Sequence, residues 1–111
     1  MIRVVYRWTV ARSQAEGFVA AWWEATRHIQ QAFPSAHGSV LLKSTLEPDV
    51  YLAVARWDSV AAWKASRDAA PVVPAATIEA MNQAATGPAS YEILDEVRDW
   101  PAAPFDAAGA G

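Results

Sequence analysis

An α+β fold built on one four-stranded antiparallel sheet is predicted by three stretches of this chain. Residues 2 to 10 alternate as a strand, with Ile2, Val4, Tyr6, Trp8 and Val10 on one face and Arg3, Val5, Arg7 and Thr9 on the other. Ala15, Phe18, Val19, Trp22, Thr26, Ile29 and Phe33 then recur at three- and four-residue steps, the stripe of an amphipathic helix. Residues 39 to 69 read as strand, tight turn, strand and helix.

Each element has its own signals. Ser13-Gln14-Ala15-Glu16 has the spacing of a capping box, in which serine and glutamate satisfy each other's orphan backbone N–H groups. Pro34 stops the first helix. Residues 39 to 46 form the second strand, with Val40, Leu42 and Leu46 on one face and Leu41 on the other. Glu47-Pro48-Asp49 is a hairpin turn with φ preset by the proline, and residues 50 to 57 are the third strand. Asp58 or Ser59 caps a second helix from Val60 to about Ala69. Pro74 suits the first turn of a third helix carrying Ile78, Met81 and Ala85, which Gly87-Pro88 ends. Residues 90 to 98 are the last strand, and its Glu92, Asp95, Glu96 and Asp99 suit a solvated acidic edge.

The order is βαββαβ with its second crossover split in two, a ferredoxin-like arrangement with the helices on one face of the sheet. Val5, Leu41 and Leu94 put apolar side chains on both faces of the strands, so the second face also needs cover. A homodimer packed sheet on sheet, a dimeric α+β barrel, supplies it. Residues 1–100 are expected to form this single domain, with 101–111 a loose tail or an arm packing on a partner subunit.

Composition narrows the functional classes. A net charge of −3 with scattered basic residues argues against a nucleic-acid or membrane-surface partner. There is no cysteine and there are only two histidines, so neither a metal site nor thiolate chemistry is expected, and a cytoplasmic location fits. The six tryptophans stand well above average usage and point to a large aromatic surface, part core and part cavity or interface.

The candidate site is the stretch from Tyr51 to Trp63. At strand spacing Tyr51, Ala53, Ala55 and Trp57 share a face, two aromatics bracketing two small side chains. Trp63 stands one turn into the following helix, where it leans back over that face. Tyr51, Trp57 and Trp63, joined by Trp22 from the first helix, are the candidate substrate-binding walls of an apolar pocket; a plain strand–helix core corner accounts for them equally well. His28, the only histidine on a regular element, is the candidate general base. His37 reads as a solvated loop residue and Asp58 as a helix cap.

A strand ending in Trp57-Asp58-Ser59, with an aromatic six positions after that tryptophan, resembles the antibiotic biosynthesis monooxygenase family; Gly38, Pro48, Phe18 and Trp22 fit the same pattern. The resemblance covers nearly all of the first hundred residues. It implies a dimeric ferredoxin-like barrel with a pocket for flat, polyketide-like phenols, which some members oxygenate with O₂ and no metal or flavin. It also implies an amide four residues before the motif tryptophan and a tyrosine six after it, where this chain has Ala53 and Trp63. Two functions are therefore expected to compete: a cofactor-independent monooxygenase acting on an aromatic small molecule, and a non-catalytic dimeric binding or stress-related protein. Haem-degrading relatives imply a strand-1 asparagine and a histidine about ten residues beyond the helix tryptophan; Tyr6, Arg7 and Val73 stand there instead.

Overall fold

In the computed structural model, residues 1–100 are described, apart from the side chains of residues 86–89. The expected arm at 101–111 lies outside the described residues. The strands are β1 (Ile2–Val10), β2 (Ala36–Lys43), β3 (Val50–Trp57) and β4 (Ala85–Asp95); the helices are α1 (Ala15–Ala32), α2 (Val60–Asp68) and α3 (Ala75–Ala84). The strands form one antiparallel sheet in the order β2-β3-β1-β4, so the two central strands are β3 and β1. This is the ferredoxin-like α+β fold that the sequence predicts.

The period of two decides which side chains the helices cover. Ile2, Val4 and Val10 of β1 and Tyr51, Ala53, Ala55 and Trp57 of β3 are all buried, and all lie on one face. Phe18 and Trp22 of α1 and Ala84 of α3 close one end of this layer with Val10, Tyr51 and Ala53. Trp63 of α2 closes the other end with Ile2, Val4, Ala55 and Trp57. The opposite face carries Val5, Val40, Leu42, Leu52, Val54 and Leu94, and Val40 and Leu42 are nearly half exposed at 48% and 46%.

Several local readings change. Ser13 does not cap α1. It lies inside a single 3-10 turn, Arg12–Gln14, and Gln14 precedes the helix in a helical conformation with no side-chain cap bond. A capping serine needs extended backbone, and the 3-10 entry takes that away. The buried stripe of α1 is Phe18, Ala21, Trp22 and Ala25, while Val19 is 42% exposed. Ser59, not Asp58, caps α2: its backbone is extended (φ −162°, ψ 165°) and its hydroxyl accepts from the Ala62 N–H.

β2 begins three residues early, at Ala36, and ends at Lys43, so Leu46 stands in the hairpin loop, 92% exposed. Gly38 within it has φ +98°, a left-handed conformation that other residues adopt only with strain, and the pairing with β3 shifts register there. β4 starts directly after α3, so Gly87-Pro88 falls within the strand rather than ending the helix. Its pairing with β1 shifts between Arg7 and Thr9, opposite that dipeptide, where proline has no N–H to give the ladder.

Glu96 is not part of a solvated edge. Its carboxylate accepts from Arg56 Nε (2.9 Å) and Nη2 (3.1 Å) and from Arg3 Nε (3.0 Å), tying β1, β3 and the end of β4 together on the helix-free face. The Arg56 hydrogen bonds, with Arg3 second, hold the Glu96 carboxyl below its ordinary value of 4.5. A depressed carboxylate contributes stability that is present above its unfolded-state value and lost as pH falls through the folded one. Glu96→Gln is therefore expected to lower the melting temperature at neutral pH, with the gap to wild type closing as pH is taken below about 4.5. A gap that stays constant down to the acid transition would remove this role.

Candidate functional site

Small side chains at the centre of β3 leave space that the aromatics around them do not fill. Ala53 and Ala55 form the floor of an apolar cavity of about 180 Å³ between the sheet and the helices. Tyr6 and Trp8 of β1, Trp57 of β3, Trp22 and Ile29 of α1, and Ile78 and Met81 of α3 stand around it. A dry cavity of roughly 150 Å³ accepts a benzene ring, so this volume holds one ring with little to spare.

The polar groups at the cavity are few. Thr26, Gln30 and Ser39 reach its lining. Gln30 is fixed by the Gly38 bulge, whose N–H donates to Gln30 Oε1 at 2.9 Å. Tyr6 is the notable one. The Trp63 indole N–H donates to the Tyr6 hydroxyl at 3.0 Å, and because an indole nitrogen cannot accept, the Tyr6 O–H keeps its own proton to give elsewhere. No acceptor for it is found among the described residues. Tyr6, one of the wall residues, thus carries a hydroxyl donor oriented by Trp63, and the Trp8 ring stacks on the Tyr6 ring at 5.8 Å.

Of the sequence-predicted wall residues, Trp57 and Trp22 line this cavity. Tyr51 does not: it packs on Phe18 with ring centroids 5.6 Å apart and faces the groove between α1 and β2. Trp63 is buried at 4% exposure and lines an adjoining hollow, touching the first cavity only through its bond to Tyr6. His28 lies on α1 outside both linings, with Glu24 Oε2 3.9 Å from its Nε2. His37 is not a free loop residue, since its Nε2 is 2.6 Å from Asp58 Oδ1, and this contact occupies the aspartate in place of the helix cap. Among the described residues no cluster of three His, Asp or Glu side chains is placed to hold a metal ion.

Tyr6 was the residue that the sequence hid. Its place on the inward face of β1 was legible, but its hydrogen bond to a side chain 57 positions away depends on α2 folding back over the sheet. Removing the hydroxyl leaves the buried indole N–H without a partner, which costs about 1–3 kcal/mol. Tyr6→Phe is therefore expected to destabilise the fold by about that amount, and Tyr6→Phe with Trp63→Phe by less than the sum of the two single changes. Strict additivity in urea unfolding would show that the two side chains do not act as a pair.

A family model described as antibiotic biosynthesis monooxygenase matches residues 1–77, more than half of the chain. No curated protein sequence matches it. Among solved structures, a protein from Caulobacter crescentus described as an antibiotic biosynthesis monooxygenase superposes with a TM-score of 0.75 at 24% identity, over 87% of this chain and 90% of that one. SnoaB, a cofactor-independent oxygenase from Streptomyces nogalater, superposes with a TM-score of 0.73 at 18% identity, over 91% and 97%. A protein of the same description from Bordetella bronchiseptica gives 0.74 at 19% identity, over 87% and 97%. At these identities the superpositions establish a shared fold.

Proposed function

Since the chain belongs to the antibiotic biosynthesis monooxygenase family, we propose that it binds a flat aromatic or polyketide-like small molecule in the cavity over Ala53 and Ala55 and oxygenates it with O₂ without a cofactor. The observation that carries this reading is the apolar, ring-sized space itself, with Tyr6 in its wall, whose hydroxyl is held by Trp63 and finds no acceptor for its proton among the described residues. An electron-rich, anthrone-type phenol that enters as the anion formed by losing a proton from its ring CH₂ can pass an electron to O₂ directly. Recombination forms a C–O bond at the ring carbon. The hydroperoxide then loses water across the former CH₂, leaving one oxygen in a ketone and the other in the water released. The Tyr6 O–H would stabilise the ligand's oxyanion, and the tryptophan walls would keep bulk water from the intermediates.

One observation favours a second reading, a non-catalytic binding protein. No histidine or carboxylate lines the cavity, so the base must be solvent or the ligand must ionise unaided. The two readings separate by experiment. Purified protein is titrated with hydroxyanthrones while tryptophan fluorescence and O₂ uptake are followed. Quenching with uptake supports the monooxygenase, and quenching without uptake supports the binding protein. Neither signal would remove both.

The working form is a homodimer in the cytoplasm. What supports the dimer is the strip Val5, Val40, Leu42, Leu52, Val54 and Leu94 on the face opposite the helices, more apolar surface than a single copy keeps in water at little cost. No helix among the described residues is long and apolar enough to cross a membrane. Sedimentation is expected to give twice the chain mass at micromolar concentration; Val54→Lys, at the centre of the strip, is expected to shift it to the monomer. A wild-type monomer would end this proposal.

A further inference from the structure

The cavity over Ala53 and Ala55 does not end at Tyr6. A second hollow of about 440 Å³ adjoins it, and the two share Tyr6, Ile29, Trp57, Val73 and Ile78 as common wall. The outer hollow lies between the end of α1, helix α2 and the segment 69–73, and Arg67 of α2 lines it. Arg67 is held in an unusual way. Its guanidinium carbon is 5.1 Å from the centroid of the Trp63 ring and 5.5 Å from that of Tyr91, and the two rings are themselves 5.6 Å apart. Arg3, Arg7, Arg27 and Arg56 each pair with a glutamate, whereas Arg67 has no carboxylate partner among the described residues. Stacking on rings fixes a guanidinium by its face and leaves the N–H groups at its edge free to donate. A cation fixed in this way, unpaired and beside an apolar cavity, is suited to a planar anion, which it can meet with two parallel hydrogen bonds.

We propose that the ligand is an aromatic anion that spans both hollows, its ring system over Ala53 and Ala55 and a carboxylate in the outer hollow at Arg67. This rests on the aromatic-binding reading above and adds to it the charge and the orientation of the ligand. The inner cavity has room for about one ring, so a multi-ring ligand must extend past Tyr6, and the side it extends into is the one that carries the cation. The net charge of the chain is −3, so the preference for an anion arises locally at Arg67 rather than from the overall field.

The test compares 2-naphthoate with its methyl ester, two ligands of one ring shape that differ in charge, by calorimetry and tryptophan fluorescence. Wild-type protein is expected to bind the acid about tenfold or more tightly than the ester, the range for a hydrogen bond to a charged group. Arg67→Met keeps the apolar stem and is expected to weaken the acid to the level of the ester while leaving the ester unchanged. Equal affinity of wild type for acid and ester would overturn the proposal, whatever the variant does. So would a preference for the acid that survives in Arg67→Met. Binding of both ligands without a preference leaves the aromatic-binding reading standing and removes only the role of Arg67. Binding of neither removes both.

Discussion

Phe18→Ala is expected to lower the free energy of unfolding by about 3–5 kcal/mol, the cost of emptying a large aromatic site in a closed core. Phe18 has no exposed surface. Its ring meets Trp8 edge-on at 5.3 Å and tilts against Tyr51 at 5.6 Å, so one side chain of α1 joins both central strands. Val10, Trp22, Ala53 and Ala84 complete the cluster, which makes this the point where α1, α3, β1 and β3 meet. Relaxation into the space is limited because rings, rather than flexible chains, surround it. Trp23→Ala, the next tryptophan along but 64% exposed, is the control and should change stability by no more than about 0.5 kcal/mol. Urea unfolding of the three proteins decides it, and a Phe18→Ala cost below that of the control would show that the core lies elsewhere.

Ala53→Leu is expected to abolish ligand binding while the protein remains folded. The alanine is 1% exposed and faces the cavity, so three added carbons project into the space where a ring would sit. In a filled core such a change costs about 1–3 kcal/mol through overpacking. Here part of that cost is offset, because the cavity of about 180 Å³ receives the new side chain. The expected signature is an unfolding midpoint near wild type together with at least a hundredfold loss of naphthoate or hydroxyanthrone affinity. Unchanged affinity would mean that the ligand sits somewhere else, with the groove of Tyr51 and Trp23 between α1 and β2 the next place to look.

Where the sequence was read well, the signal was local and periodic. The alternation of residues 2 to 10 gives the inward face of β1 as observed, and the spacing of Ala53, Ala55 and Trp57 gives the floor and one wall of the cavity. Where it misled, a backbone detail intervened. Ser13 had the residue type of a cap and lacked the extended conformation, while Ser59 had both. Asp58 and His37 were separable in sequence and paired in space, because Ser35 and Asp58 meet at the β2–β3 edge, where the Asp58 N–H donates to the Ser35 carbonyl at 3.0 Å. Tyr51 shared a strand face with Trp57, yet six residues of strand span roughly 20 Å. That distance carries Tyr51 to the other end of the layer, against Phe18.

The stretch from Tyr51 to Trp63 shows the division most clearly. The sequence by itself determined the strand, a cap at Asp58 or Ser59, the helix after it and the small residues that leave room above the sheet. These follow from the period of two, from side-chain capping chemistry and from side-chain volume, all of which act over a few residues. The tertiary structure alone decided which donor is held at the wall of that room. Tyr6 and Trp63 meet only when α2 lies across β1, and Arg67 is presented only because Trp63 and Tyr91, 28 positions apart, form the surface on which it rests. Such contacts depend on packing between distant segments, and no local pattern in the chain encodes them.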